Sequence, residues 1–235
     1  MDVIQLSNVT KNFGGVKALD NVSINVKKNE KLGIIGPNGS GKTTLLNIIS
    51  GIYGPSGGSV YLKGEKINDL RPHQIARRGV ARTFQLTLLF DEMSVLENML
   101  VCGVACTKLH SNELRAEALR LLEFVGLAHL KDERAGNLSG GQGKLLEFAR
   151  AAMSKPDVFI LDEPYVGVHP DLKEKFSKSI LSFTDKTFII VSHDLPSLFN
   201  MCDRIVALDR GMKVSEGTPS EIQKDAKVIE AYLGV

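Results

Sequence analysis

The 235-residue sequence predicts an α/β fold in which helices cover both faces of a mainly parallel sheet. Short apolar runs at residues 31–36, 158–164 and 187–194 indicate buried strands, and stretches with helical spacing separate them. The first thirty-odd residues alternate loosely between apolar and polar side chains, which is typical of antiparallel strands. Helical periodicity dominates the middle of the chain. We therefore expect an N-terminal antiparallel part, a parallel core and a helical insertion.

Composition and charge limit the classes of function. Apolar residues make up 43% of the chain and charged residues 24%, which is ordinary for a globular protein. No apolar run approaches the roughly 18–20 residues of a membrane span, and the start lacks the basic and apolar parts of a signal peptide. A net charge of +2 gives no support to a nucleic-acid partner. We expect a cytoplasmic protein that serves any membrane through a partner.

The three cysteines are odd in number and suit a reducing compartment. Cys102 and Cys106 stand one helical turn apart, so they could begin a metal site, but His110 is the only other plausible ligand nearby. Buried free thiols are the favoured interpretation, and they extend to Cys202.

The middle of the chain predicts an inserted helical segment. Apolar residues recur at helical spacing in SNELRAEALRLLEFVGL, with Ser111 or Asn112 as the N-cap and Gly126 as the stop. A mostly helical insertion is expected over about 87–135. Together with the helix that follows it, it makes a helical subdomain of about 87–150 within a single domain spanning 1–235.

A glycine-rich segment predicts a phosphate-binding loop. Residues 36–44, GPNGSGKTT, follow an apolar strand and precede an apolar helix. Glycine lets the backbone approach a phosphate, and the amide groups and helix N-terminus then face the anion. The segment fits the pattern G-x-x-x-x-G-K-[ST], whose fixed positions are Gly36, Gly41, Lys42 and Thr43. Chance alone would produce this pattern in about one chain in a hundred of this length. The expected ligands of ATP are Gly36, Pro37, Asn38, Gly39, Ser40, Gly41, Lys42, Thr43 and Thr44, with Lys42 on the β- and γ-phosphates and Thr43 on Mg²⁺.

Carboxylates and a histidine stand at the ends of two further strands. Asp162 is assigned to Mg²⁺, and Glu163 is assigned as the general base that polarises the attacking water. Both acids could instead cap the following helix. His193 follows the next apolar strand and would reach the same edge of the sheet, where imidazole can contact the γ-phosphate or the water. A structural role is its alternative.

Residues 138–142, LSGGQ, resemble the signature of ATP-binding-cassette (ABC) ATPases, and other landmarks of that family follow in order over nearly the whole chain. Gln85 in ARTFQ resembles the Q-loop glutamine, which contacts Mg²⁺ or water, and residues 167–171 resemble the D-loop. Phe13 resembles the aromatic A-loop residue, which with Val16 would hold adenine. The resemblance implies a P-loop NTPase core and MgATP hydrolysis, with Glu163, His193 and Gln85 as catalytic residues and Thr43, Gln85 and Asp162 at the metal.

The resemblance also implies partners. In this family two subunits pack head to tail, so Leu138, Ser139, Gly140, Gly141 and Gln142 would act on ATP bound by the partner. The partner could be a second copy or a homologue. Integral membrane permease subunits would hold the chain at the inner face of the cell membrane, and a solute-binding protein would complete the transporter. The stretch from Gln85 to Leu100 would form the docking groove, with Leu88, Leu89 and Phe90 partly exposed.

Two segments, HQIARRGVARTFQLTLLFDEMSVLENML and EGTPSEIQKDAKVIEAYLG, resemble the ATPases of importers for branched-chain amino acids, amides or urea. The alternatives are a soluble ABC ATPase, for example in iron–sulfur assembly, and a regulatory subunit that does not hydrolyse ATP. His169 occupies a D-loop position that is often Asp, and Phe13 replaces the commoner tyrosine. Four arginines precede Gln85, and they are expected on a solvated face, with contact to anionic lipid headgroups as the alternative: Arg71, Arg77, Arg78 and Arg82.

Overall fold

The computed structural model describes residues 1–107 and 110–233. Its N-terminal part is a four-stranded antiparallel sheet in the order β2-β1-β4-β5. Loose alternation along the first two strands turns one face inward, as the sequence predicts. The strands are β1 (Asp2–Phe13), β2 (Val16–Lys27), β4 (Gly57–Leu62) and β5 (Glu65–Lys66).

A six-stranded sheet forms the centre of the molecule, in the order β10-β9-β3-β8-β7-β6. Five strands are parallel, and β10 pairs antiparallel with β9 at one edge. The parallel order places the carboxyl ends of β3, β7, β8 and β9 at one edge of the sheet. The strands are β3 (Lys31–Ile35), β6 (Val80–Arg82), β7 (Val158–Asp162), β8 (Thr187–Val191), β9 (Arg204–Asp209) and β10 (Met212–Gly217).

Hydrophobic layers cover both faces of this sheet. Successive residues of β7 point to opposite faces, so Phe159 joins one apolar cluster and Ile160 the other. Phe159 stacks on Phe188 of β8 with ring centroids 4.9 Å apart. Helices outside the insertion are α1 (Lys42–Ile49), α2 (Pro72–Ala76), α6 (Pro170–Ser182), α7 (Leu195–Met201), α8 (Pro219–Ile222) and α9 (Ala226–Leu233).

Helices fill the segment between β6 and β7. They are α3 (Val95–Cys106), α4 (Ser111–Phe124) and α5 (Gly140–Ala152), with short 3-10 turns at Ala128–Leu130 and Ala135–Asn137. Residues 83–94 form no helix, so the helical part begins later than expected. The predicted N-cap of α4, Ser111 or Asn112, is also wrong, by one or two residues. The amide of His110 donates to the Glu113 carboxylate at 3.1 Å, which makes His110 the cap and Ser111 the first helical residue.

Gly126 ends α4 with a φ of +77°, as predicted. Cys202 is buried, and burial raises the pKa of its thiol, which agrees with a structural cysteine. The side chain of Cys106 lies outside the described part of the chain. Within the described part, no group of three or more His, Cys, Asp or Glu residues could hold a metal ion.

Candidate functional site

The phosphate loop joins the buried strand β3 to helix α1. Glycine is required at both ends of the turn. A Cβ atom at Gly36 would overlap the carbonyl oxygen of Leu208, and one at Gly41 would lie 2.6 Å from the carbonyl oxygen of Ala18. Both glycines also have positive φ values, +153° and +99°. The sequence therefore builds the tight turn that brings backbone amides and the N-terminus of α1 to one place.

Lys42 occupies the inside of that turn. Its ammonium donates to the carbonyl oxygens of Gly36 at 2.7 Å and Pro37 at 2.9 Å, and the residue is 7% exposed. Burial lowers the pKa of Lys42, while the carboxylates of Glu163 and Asp162 oppose that shift. The Lys42 cation thus lies in the field of two carboxylates at the end of β7, and it is held by carbonyls that a phosphate could replace.

Glu163 follows β7 in a left-handed backbone conformation, with a φ of +50°. Its amide donates to the carbonyl oxygen of Val191 at 2.9 Å, which ties the turn to the end of β8. The carboxylate accepts from the backbone amide of His193 at 3.1 Å, and its second oxygen is buried without a hydrogen-bond partner. A non-glycine residue is strained in this conformation, and such strain is typical of functional sites.

The environment of Glu163 favours proton acceptance. Burial raises the pKa of this carboxyl, the His193 backbone amide and imidazole oppose the shift, and the nearby Asp162 carboxylate adds to it. The His193 Nε2 atom lies 3.5 Å from the Glu163 oxygen that has no hydrogen bond, and the His193 side chain is half exposed. A buried carboxylate with a raised pKa and a free oxygen is suited to take a proton from water.

Arg82 contradicts the expectation of a solvated arginine face. Its side chain is 6% exposed, and its guanidinium donates to Asp162 at 3.1 Å, Asn47 at 2.7 Å and Ser50 at 2.8 Å. The ring of Phe84 lies 5.0 Å from the guanidinium carbon. The register of the parallel strands places Arg82 opposite Ile160, at the edge where the acids stand. Arg71 and Arg77 are exposed as predicted, and Arg78 pairs with Glu65.

A cavity of about 580 Å³ opens at the carboxyl edge of the sheet. This volume lies within the usual range of small-molecule sites. Of the predicted residues, it is lined by Phe13, Val16, Asn38, Gly39, Ser40, Gly41, Lys42, Thr43, Thr44, Gln85, Asp162, Glu163 and His193. Gly36 and Pro37 stand behind this lining and hold Lys42. Phe13 is 43% exposed at the mouth and meets Tyr53 edge to face.

Some lining residues escaped prediction, notably Lys17 and Arg210. Arg210 follows the end of β9, which lies beside β3 in the sheet. Its position after an apolar strand was a signal, because the ends of parallel strands meet at one edge. Lys17 stands at the start of β2, and its contact with the cavity depends on how the two sheets meet.

The backbone next to Gln85 is held from helix α5. The Lys144 ammonium donates to the carbonyl oxygens of Phe84 and Gln85, both at 2.6 Å, and the Glu147 carboxylate accepts from the Phe84 amide at 3.1 Å. Lys144 and Glu147 are both buried, and burial raises the pKa of Glu147. The side chain of Gln85 stays exposed at the cavity. The sequence did not predict this link.

The predicted signature residues are not among the lining of this cavity. Ser139 is the N-cap of α5, its hydroxyl accepts from the Gln142 amide at 3.3 Å, and the Gln142 side chain accepts from the Ser139 amide at 2.9 Å. Ser139 and Gly140 are exposed, Gly141 is buried and Leu138 packs partly on the core. The exposed N-terminus of α5 thus lies outside the cavity that Lys42 lines, and a helix N-terminus of this kind can bind an anion.

The sequence profile of the ABC transporter family matches residues 19–166, which is more than half of the chain. The chain belongs to the ABC transporter family. ABC ATP-binding proteins are ATPases, and so is this chain. A second profile, described as a branched-chain amino acid ATP-binding cassette transporter, matches residues 213–235.

Curated ABC relatives match over the full length. The chain is 40% identical to the probable branched-chain amino acid transport ATP-binding protein LivG of Archaeoglobus fulgidus, covering 100% of this chain and 96% of the relative. It is 37% identical to the high-affinity branched-chain amino acid transport ATP-binding protein BraF of Pseudomonas aeruginosa, covering 99% and 98%.

Solved ABC cassettes share the fold. A nucleotide-free ATP-binding cassette from an ABC transporter superposes with a TM-score of 0.90 at 35% identity, covering 100% of both chains. The dimeric cassette MJ0796 superposes with a TM-score of 0.85 at 30% identity, covering 92% of this chain and 98% of that one. The predicted P-loop NTPase fold is therefore confirmed. Among residues 1–107 and 110–233, no helix has the length and apolarity that crossing a membrane requires.

Proposed function

We propose that this ABC ATPase hydrolyses MgATP as the motor subunit of an importer for branched-chain amino acids or closely related small solutes. The observation that carries the proposal is the convergence of Lys42, Asp162, Glu163 and His193 on one cavity at the carboxyl edge of the sheet. The solute class rests on full-length relatives at 34–40% identity, which are named as branched-chain amino acid transport ATP-binding proteins.

The loop of residues 36–44 is proposed to bind the triphosphate, and the N-terminal sheet is proposed to bind the adenine ring. Lys42 would exchange the carbonyls of Gly36 and Pro37 for phosphate oxygens, while the backbone amides of residues 39–44 and the N-terminus of α1 supply the remaining donors. Phe13 and Val16 are exposed at the mouth of the cavity, where adenine would lie against the ring. The site thus has a cationic end and an apolar end, as ATP does.

The donor set suits Mg²⁺, which prefers oxygen ligands and is usually held by one or two carboxylates together with substrate phosphates. Thr43, Asp162 and Gln85 bring a hydroxyl, a carboxylate and an amide oxygen to the cavity. When bound, the metal would neutralise charge on the β- and γ-phosphates. Arg82 holds one oxygen of Asp162 at 3.1 Å, so the orientation of this carboxylate is set before any ligand arrives.

Hydrolysis is proposed to depend on Glu163. Its free, buried oxygen accepts a proton from the attacking water, which lies in line with the γ-phosphate held by Lys42. His193 orients the water or the γ-phosphate from the end of β8, and its backbone amide keeps the other oxygen of Glu163 in place. Gln85 would contact Mg²⁺ or the attacking water, from the loop whose backbone Lys144 and Glu147 hold in place.

A second ABC subunit is proposed to complete each site. The capped N-terminus of α5, with Ser139, Gly140 and Gly141, is exposed and stands outside the cavity of its own chain. In a head-to-tail pair it would face the γ-phosphate of the partner's ATP. ATP would then bridge two chains and ADP would not, and this difference in contacts is what lets hydrolysis open the pair. Two solved neighbours, both of MJ0796, are dimeric.

Membrane permease subunits are proposed to dock beside the Gln85 loop, with a solute-binding protein completing the importer. A cavity of about 1060 Å³ lies there, lined in part by Arg78, Phe84, Leu88 and Arg150. Leu88 and Phe90 are 55% and 50% exposed, and Leu89 is half-buried against the core. Exposed apolar side chains beside a groove are typical of a surface that a partner covers. The chain would reach the membrane through this contact.

The test is co-expression of the chain with its membrane subunits, followed by reconstitution with a solute-binding protein. We expect co-purification, and ATP hydrolysis that rises severalfold when leucine, isoleucine or valine is added. Glu163→Gln should abolish the stimulated rate in the same complex. Stimulation by an unrelated solute alone would overturn the importer assignment, and co-purification with only soluble proteins would overturn the transporter assignment.

A further inference from the structure

The C-terminal helix reaches the phosphate loop from the other end of the chain. The backbone amide of Gly36 donates to the hydroxyl oxygen of Tyr232 at 2.8 Å. Gly36 is the first residue of the loop, and Tyr232 belongs to α9. The contact spans 196 residues, so it exists only when the C-terminal segment is folded against the core.

Helix α9 is anchored well enough to fix this hydroxyl. Val228, in its first turn, is buried in the core cluster. Asp225 precedes the helix and accepts from the Lys227 amide at 2.8 Å, and its carboxylate also accepts from the hydroxyl of Ser215 on β10. These contacts hold the start of α9 on the sheet, and its last described turn projects toward Gly36.

The Gly36 residue is held from both sides of its backbone. Its amide is bound by Tyr232, and its carbonyl oxygen accepts from Lys42 at 2.7 Å. The carbonyl of Leu208 closes off the space next to its Cα atom. The orientation of Gly36 therefore determines where the loop begins and where the Lys42 ammonium lies before nucleotide binds.

The hydroxyl of Tyr232 is a neutral acceptor. Burial raises the pKa of Tyr232, the Gly36 amide opposes the shift and the Glu163 carboxylate adds to it. The phenol therefore remains protonated at neutral pH. Its oxygen accepts from the Gly36 amide, as a neutral phenol can.

We propose that Tyr232 is a positioning residue for ATP binding: its hydroxyl fixes the Gly36 peptide and thereby holds the phosphate loop ready for nucleotide. This rests on the proposed function, in which the loop of residues 36–44 binds ATP. Tyr232 acts through the loop and makes no contact with the reacting atoms. A loop that is ordered beforehand has less conformational freedom to lose on binding, so removal of the hydroxyl weakens affinity for both ATP and ADP.

The substitution that tests this is Tyr232→Phe, which removes the hydroxyl and keeps the ring. A net hydrogen bond of this kind corresponds to a change of about three- to tenfold in an equilibrium constant. We expect the Kd for MgADP and the KM for MgATP to rise by about this factor, with kcat within about twofold. Tyr232→Leu, which also removes the ring, should show the same rise in Kd and a larger loss of thermal stability.

Tyr61→Phe is the matched control, because Tyr61 lies on β4 and is not among the residues that line the nucleotide cavity. It should leave the Kd and KM unchanged. A purely structural role would lower the Tm or the active fraction of Tyr232→Phe at an unchanged Kd, and that result overturns the proposal. An effect in Tyr232→Leu without one in Tyr232→Phe also overturns it, because the ring alone would then matter.

Lys42→Ala separates this proposal from the proposed function. If the unmodified protein binds MgADP and Lys42→Ala does not, the loop is the nucleotide site, and the Tyr232 variants then report on positioning alone. If Lys42→Ala binds as well as the unmodified protein, the assignment of the loop fails, and the positioning role fails with it.

Discussion

Replacement of Glu163 by glutamine converts the buried carboxylate into an amide: an NH₂ group takes the place of one oxygen, and the shape of the side chain is kept. The remaining oxygen can still accept from the His193 amide, which now lies at 3.1 Å. The change also removes a charge whose burial raises the pKa of the group. We therefore expect the folded structure to survive, with a Tm equal to or slightly above that of the unmodified protein.

The expected loss is catalytic. A general base contributes about 10²–10⁴ to a rate, which is about 3–5 kcal/mol of barrier. The phosphate-binding groups of Glu163→Gln are intact, so the Kd for MgATP should stay within about threefold while kcat falls at least about a hundredfold. Phosphate release by the assembled transporter at saturating MgATP measures kcat, and titration calorimetry measures the Kd.

Glu30→Gln is the matched control. Glu30 is similarly buried, at 8% exposure, but its carboxylate is bound to Arg204 at 2.7 Å, and it stands at the amino end of β3, opposite the end that carries the phosphate loop. Its replacement should lower the Tm and leave kcat unchanged. Hydrolysis by Glu163→Gln within about threefold of the unmodified rate would remove Glu163 from the role of base.

Three further predictions concern the pH dependence of hydrolysis, the Arg82–Asp162 ion pair and the cap of α5. Burial raises the pKa of Glu163, and only the ionised carboxylate can accept a proton. As the pH is lowered, kcat should therefore begin to fall at a pH above the ordinary pKa of a carboxyl group. A pH–rate profile measures this, and an acidic limb at the ordinary carboxyl pKa would contradict it. Arg82→Met leaves the Asp162 carboxylate buried without its cation, which costs about 3–5 kcal/mol of stability, so the Tm should fall by about 10 °C. Adding Asp162→Asn should recover part of the lost Tm, and an unchanged Tm in Arg82→Met would refute the buried ion pair. Ser139→Ala should lower stability by about 1 kcal/mol, as should Ser94→Ala, which removes the equivalent cap of α3, but only Ser139→Ala should abolish ATP-driven association in light scattering.

Sequence patterns predicted the features that depend on local spacing. The phosphate loop is encoded by three glycines within six residues, Gly36, Gly39 and Gly41, and the two acids and His193 stand at the ends of apolar strands whose parallel order brings them together. These residues meet as expected, while their roles in binding and hydrolysis stay predictions.

Contacts between distant segments could not be predicted in this way. Arg82 belongs to a basic stretch whose neighbours are exposed, and only the packing of β6 beside β7 turns its side chain inward to Asp162. The link from Lys144 to the Gln85 loop and the contact of Tyr232 with Gly36 join elements that are 59 and 196 residues apart. A pattern along one segment carries no information on such pairs, because tertiary packing decides which side chains are buried.

The most direct test of the account is the position of Lys42 in a structure of the protein with Mg²⁺ and a non-hydrolysable ATP analogue. Its ammonium now lies 2.7 Å from the Gly36 carbonyl oxygen and 2.9 Å from that of Pro37. The account predicts that it leaves both and lies within hydrogen-bond distance of the β- and γ-phosphate oxygens, with the free oxygen of Glu163 facing the γ-phosphate. An analogue bound elsewhere, or a Lys42 that stays on its carbonyls with nucleotide in the cavity, would contradict it.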